Sequence, residues 1–186
     1  IEYGVNEVMA GASGKAARNM LRTAAVTEDH MIEIKGMLHF TISVSDLDRS
    51  EKFYRDVLGM DLIQKVPPLG MAFLKAGGDH VILCKSETPI DPNPGRGILV
   101  HHAFRIDPDK YDDAIAQLKA NNVDILFEED REGGVFQGRQ VYFHDPDRNV
   151  IEINALRKIG TKEEVNARPK DRKHFTHQPQ DVPVVD

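Results

Sequence analysis

Apolar and polar residues alternate over LHFTISV (38–44): Leu38, Phe40, Ile42 and Val44 fall on one side, His39, Thr41 and Ser43 on the other. A period of two marks a half-buried strand. SDLDRSEKFYRDVLGM (45–60) then reads as a helix. Ser45 or Asp46 is placed to cap it, Phe53, Val57 and Leu58 form an apolar stripe, and Gly59 stops it. Three short strands follow at DLIQKV (61–66), MAFLKA (71–76) and HVILCK (80–85), punctuated by Pro67–Pro68, Gly70 and Gly77–Gly78. The plan then repeats. VHHAFRI (100–106) is a strand, DPDKYDDAIAQLKANN (107–122) a helix, and VDILFE (123–128), GRQVYFH (138–144) and NVIEINAL (149–156) are strands.

His39 and His101 lie 62 positions apart, and so do Phe53 and Ile115. A shared offset points to one βαβββ unit used twice. The expected architecture is α+β: two paired βαβββ modules forming a cupped, mixed eight-stranded sheet around a cleft, with the helices outside. Module one covers 36–86 and module two 99–156. The proline-rich segment 87–98 is an extended connector. An N-terminal extension, 1–35, and a polar C-terminal arm, 157–186, fall outside the repeat. The arm reads as a short helix or strand stub followed by chain that needs a partner surface to order. His174 and His177 within it are expected to be solvated rather than metal-bound.

The strand phase picks out the candidate chemistry. His39, His101 and Glu152 each occupy the polar phase of a first or last strand in a module, whereas His102 shares the apolar phase with Phe104 and Ile106 and reads as a core imidazole or outer hydrogen-bond donor. Two imidazoles and one carboxylate that leave coordination positions open make the facial arrangement whose usual occupant is non-haem iron(II). An open site favours chemistry over structure.

Composition narrows the classes. The chain has 186 residues, 40% hydrophobic, enough for one domain with a real core. A formal charge of −6 with no Lys/Arg block argues against nucleic acid as partner. No apolar run approaches the ~20 residues that span a bilayer. The single cysteine, Cys84, cannot pair within the chain and reads as a small core residue, so a reducing compartment, with the cytoplasm as default, is expected. Residues 9–27 lack acids and carry Lys15, Arg18 and Arg22. They read as a short amphipathic helix, with an organelle transit segment as the alternative.

Four signatures carry a family resemblance: His39-x-x-Ile-x-Val-x-Asp46; SEKFYRDVLG from Ser50 to Gly59; His101-x-Ala-Phe; and Tyr142-Phe-x-Asp-Pro-Asp-x-Asn-x-x-Glu152. Over residues 36–156 the chain resembles the glyoxalase/bleomycin-resistance/extradiol-dioxygenase superfamily, the vicinal oxygen chelate proteins. The resemblance implies paired modules around a divalent metal held by His39, His101 and Glu152, a small substrate chelating it through two neighbouring oxygens, and a homodimer. The glyoxalase I and methylmalonyl-CoA epimerase branches add a fourth ligand, whose position here is taken by Leu83, so a four-ligand isomerase is disfavoured.

Two branches use three ligands. The extradiol dioxygenases match at Tyr142, expected to hydrogen-bond the substrate, with His144 on the same strand face as the substitute acid/base. Their upstream His is absent and Arg148 replaces a Gly of the signature. The fosfomycin-modifying thiol transferases match at Thr41, two residues after the first ligand. The stretch following Glu152 departs from theirs, Arg157 is out of position, and Arg105 is the one internal cation available for a phosphonate. The reading that results is an Fe(II) extradiol-type dioxygenase with catalytic Tyr142 and His144 and substrate contacts at Thr41 and Arg105. The first alternative is a non-redox lyase, isomerase or thiol transferase on the same site with Mn(II), Ni(II) or Zn(II). The second is a metal-free binding or resistance protein.

Overall fold

The computed structural model describes residues 34–88, 90, 93 and 97–166. The expectations for 9–27 and for His174 and His177 lie outside the described residues. The described residues from 37 to 166 belong to one compact unit. Its strands are β1 (Phe40–Val44), β2 (Asp61–Val66), β3 (Met71–Ala76), β4 (Asp79–Lys85), β5 (His102–Ile106), β6 (Ile125–Arg131), β7 (Phe136–His144) and β8 (Val150–Ile159). Its helices are α1 (Leu47–Lys52), α2 (Tyr111–Ala120) and α3 (Lys162–Asn166). Among the described residues no helix is long and apolar enough to cross a membrane.

The duplication is visible as topology. One sheet runs β1-β4-β3-β2 and the other β5-β8-β7-β6, and the pairs β1–β4 and β5–β8 are parallel while the rest are antiparallel. The two βαβββ modules are therefore as expected. The eight strands form two four-stranded sheets, however, and among the described residues no ladder joins them within one chain.

Alternation decides which face is buried. Ile42, Val44, Val81, Leu83, Leu74 and Ala72 share the inner face of the first sheet and are almost fully buried. Val141, Phe143, Ile151, Ile153 and Ala155 do the same in the second. Leu47 and Tyr54 from the first helical segment, and Tyr111, Ile115 and Leu118 from α2, belong to the same cluster. Each aliphatic side chain buried here contributes about 1.5–3 kcal/mol. The helices thus cover the apolar faces and leave the opposite faces for chemistry.

Element ends differ from the pattern in instructive places. Asp46 caps α1, its Oδ1 accepting from the Arg49 amide at 3.0 Å. After Lys52 the helix widens into a π turn over Phe53–Val57, which turns Tyr54 wholly inward and leaves Phe53, Val57 and Leu58 half-buried. β6 continues through the polar run Glu129, Asp130 and Arg131, because these pair with Gln140, Arg139 and Gly138 on a sheet edge facing water. β8 likewise runs on to Ile159 opposite Phe136.

The Asp145–Asn149 turn joins the modules. Asp145 accepts the Tyr54 hydroxyl at 2.8 Å and the Asn149 side-chain amide at 2.9 Å, and Asn149 Nδ2 reaches the Ser43 carbonyl at 3.1 Å. Asp147 accepts from Ser45, from Ser50 at 3.0 Å and from Arg49 at 2.7 Å. Burial alone would raise the Asp147 carboxyl, but its hydrogen bonds from Ser45, Arg49 and Ser50 hold it below the usual range. Asp147→Asn is expected to cost about 1–3 kcal/mol in urea unfolding at pH 7. A depressed carboxyl contributes stability that is complete above its ordinary value and lost as pH falls through its folded value, so the gap to wild type should close on acidification below about pH 4. Burial raises Asp145 instead, with the opposite sign. The difference between variant and wild type, rather than the raw pH curve, therefore isolates Asp147.

Candidate metal centre

His101 lies immediately before β5, and the chain fixes its ring from both sides. Nδ1 stands 3.0 Å from the Ile98 carbonyl, which can only accept, so Nδ1 carries the hydrogen. Nε2 then points its lone pair at Glu152 Oε2, 3.0 Å away. Two acceptors at that distance need a positive charge between them, either a proton or a metal ion. The hydrogen bond to Glu152 raises the His101 pKa, against the opposing effect of burial. Burial would raise Glu152, but hydrogen bonds from His101, Asn154 and Tyr142 outweigh it and hold the carboxyl low.

The surroundings orient this pair. Asn154 Nδ2 donates to Glu152 Oε1 at 2.9 Å, while Asn154 Oδ1 is buried with no partner among the described residues. The Tyr142 ring stacks on Phe127, centroids 4.5 Å apart, and sits edge-on to His101 at 5.3 Å. Its hydroxyl donates to Gln140 Oε1 at 3.1 Å and lies within reach of Glu152. Burial and the Glu152 charge push the phenol well up, so it stays a donor across the physiological range. An imidazole nitrogen held in one tautomer by a backbone carbonyl, beside a carboxylate held by an amide, is the support that metal ligands receive. The residues present fit a divalent ion. Asn154→Ala is accordingly expected to weaken Mn(II) binding by about 10–100-fold in calorimetric titration.

The structure does not bring all the proposed residues together. His39 is exposed just ahead of β1, and among the described residues no three His, Cys, Asp or Glu side chains gather to hold an ion. A cavity of about 780 Å³ surrounds His101, Tyr142 and Glu152, and everything lining it comes from residues 98–159. Arg105 lines it; Thr41, exposed on β1 in the other module, does not. His144 departs from its proposed role. Its amide donates to the Asp124 carbonyl at 3.0 Å and its Nδ1 meets Asp124 Oδ2 at 2.8 Å, so the ring is tied to the loop before β6 and does not line the cavity. His102 stacks on Phe40 at 4.9 Å on the opposite face.

Leu83 corrects a second detail. It pairs with Ile42 in the core, and the neighbour opposite Thr41 is Ile82. The fourth-ligand position on the cleft face is therefore held by Ile82. It too is apolar, so the argument against a fourth ligand stands. Asn154 and Arg131 are cavity residues that the pattern did not single out. Asn154 shares the phase of Glu152, which was the available signal; Arg131 lies in a run that reads as loop.

Two four-stranded βαβββ modules with a His–Glu pair on the polar face define a vicinal oxygen chelate protein. Residues 36–153 match the family described as the Glyoxalase/Bleomycin resistance protein/Dioxygenase superfamily, and the chain belongs to it. It is 34% identical over 121 residues to the metallothiol transferase FosB of Staphylococcus epidermidis, covering 65% of this chain and 84% of that one. It is 28% identical over 136 residues to the fosfomycin resistance protein FosX of Listeria monocytogenes, covering 70% and 94%. A crystal structure of a Listeria FosX variant with Mn(II) and 1S,2S-dihydroxypropylphosphonic acid matches with a TM-score of 0.56 at 24% identity, covering 73% of this chain and 98% of that one, and shows the same fold. Of these relatives, FosB is named as a metallothiol transferase and FosX as a fosfomycin resistance protein. Nothing in them supports iron or ring cleavage.

Proposed function

We propose that this protein is a divalent-metal-dependent thiol transferase, acting on a small molecule that chelates the ion through neighbouring oxygens. The observation that carries the reading is the His101–Glu152 pair, 3.0 Å apart with each partner independently oriented. Similarity to FosB supports the transferase over the dioxygenase, as does Thr41 two residues after His39, while the apolar Ile82 argues against a four-ligand isomerase.

His39, His101 and Glu152 form the ligand set, with His39 supplied by a second copy of the chain. A cavity lined by one module alone supports this arrangement, as does the dimeric habit of the family. When bound, the divalent ion polarises the chelated oxygens and lowers the barrier to attack by a thiolate. The chain's own residues do the rest. Glu152 is kept ionised and His101 in one tautomer, Tyr142 turns its single hydroxyl proton from Gln140 Oε1 towards the oxygen that gains charge, and Arg105 attracts an anionic group into the cavity.

The test is thiol consumption. Protein loaded separately with Mn(II), Ni(II) and Zn(II) should consume cysteine or glutathione in the presence of fosfomycin, and chelation should stop it. No thiol loss with any metal, together with oxygen uptake on catechols after anaerobic Fe(II) loading, would restore the dioxygenase and overturn this reading.

A further inference from the structure

The cavity is longer than its metal end requires. Side chains on one face of a sheet repeat every two residues, roughly 7 Å. Ala103 pairs with Glu152, and one row further Arg105 pairs with Asn154. Leu156 comes next, and Ile159 lies opposite Phe136 at the far end. From Asn154 to Ile159 the strand covers roughly 16 Å.

The row at Arg105 has unmet chemistry. Arg105 is exposed in the cavity wall, and among the described residues its guanidinium has no ion pair. Beside it, Asn154 is only 7% exposed. Its Nδ2 donates to Glu152, and its fully buried Oδ1 has no partner among the described residues. Arg131 on the opposite wall is already engaged by Glu129. Beyond this row the lining turns apolar and ends at a rim where Phe136 is 53% and Ile159 62% exposed. Large side chains left in water at a cavity mouth point to an apolar occupant.

We propose that this trough binds an amphipathic carboxylic acid, with its carboxylate on Arg105 and its chain lying along Leu156 towards Phe136 and Ile159. The inference rests on the cavity being the substrate site of the proposed transferase, and it names the remote end of that substrate.

Calorimetric titration of the metal-free protein tests it, using butyrate, decanoate and 1-decanol below their aggregation limits. Decanoate should bind at least about 100-fold more tightly than butyrate, since each buried methylene is worth about three- to fourfold. Arg105→Met should weaken decanoate by about tenfold or more and leave 1-decanol unchanged. Phe136→Ser should weaken decanoate and spare butyrate. Equal affinities for the two acids, or indifference to Arg105→Met, would overturn the proposal. So would a Phe136→Ser variant that dissociates in sedimentation with acid binding intact, because the rim would then be a contact between copies. A parallel Mn(II) titration separates the two readings: metal binding without acid binding removes only the trough, and acid binding without metal binding removes only the metal centre.

Discussion

Glu152→Gln should abolish high-affinity Mn(II) binding while leaving the fold in place. The residue is 5% exposed and its two oxygens serve different partners, His101 Nε2 at 3.0 Å and Asn154 Nδ2 at 2.9 Å. Glutamine fills the same volume and keeps one carbonyl oxygen, so it can still accept from Asn154. It cannot supply the negative charge that a cation next to His101 requires. The loss should exceed the 10–100-fold typical of removing an outer hydrogen-bond partner. Calorimetry with Mn(II) and a circular-dichroism melt on the same preparation give the two halves of the expectation. A variant that binds Mn(II) like wild type would show that Glu152 is not a ligand. His101 is also expected to shift. With its carboxylate partner gone, the main cause of its raised pKa disappears, and the imidazole should titrate at lower pH by NMR in the variant.

The second large effect concerns the third ligand. His39→Ala and His101→Ala should each lose metal-dependent activity as pure proteins. If His39 acts across a dimer, mixing the two after reversible dissociation should restore it. A mixed dimer has one site in which both ligands are mutated and one in which both are intact. Random re-pairing of equal amounts should therefore return about one quarter of wild-type sites. No recovery, in a mixture shown to have exchanged subunits, would mean that His39 serves its own chain or serves no metal.

The reason this was hard to see in the chain itself is geometric. Alternation along 38–44 and 100–106 identifies the face on which a histidine stands. It carries no information about which sheet that face meets. The duplication, read from a 62-residue offset, correctly anticipated both modules and the succession of elements in each, because each module's strands are consecutive and locally patterned. His101 and Glu152 were within reach of the same logic, since His101 leads directly into β5 and Glu152 stands on β8 of the same ladder. Two misplacements came from partners remote in sequence. His144 shares an alternation phase with Tyr142, yet Asp124 draws it away from the cavity. Leu83 aligns with a ligand position, but its pairing with Ile42 turns it into the core. The Tyr-x-x-Asp-Pro-Asp segment suggested ring-cleavage chemistry, while the carboxylates of that turn spend their hydrogen bonds on Tyr54, Ser45, Ser50 and Arg49. Asn154 shares the phase of Glu152, but its bond to that carboxylate is tertiary geometry that alternation does not carry.

That same turn settles how separable the halves are. Asp145 and Asp147 belong to the second module, but Asp147 is bound by Ser45, Arg49 and Ser50 of the first, and Asp145 takes the Tyr54 hydroxyl from it. A fragment ending before the connector would present Tyr54 to water with its hydroxyl partner removed. A fragment starting after it would hold two carboxylates with no donors from α1. Protease cleavage between residues 87 and 98 should consequently yield a nicked particle whose two pieces migrate together through gel filtration and part only in denaturant.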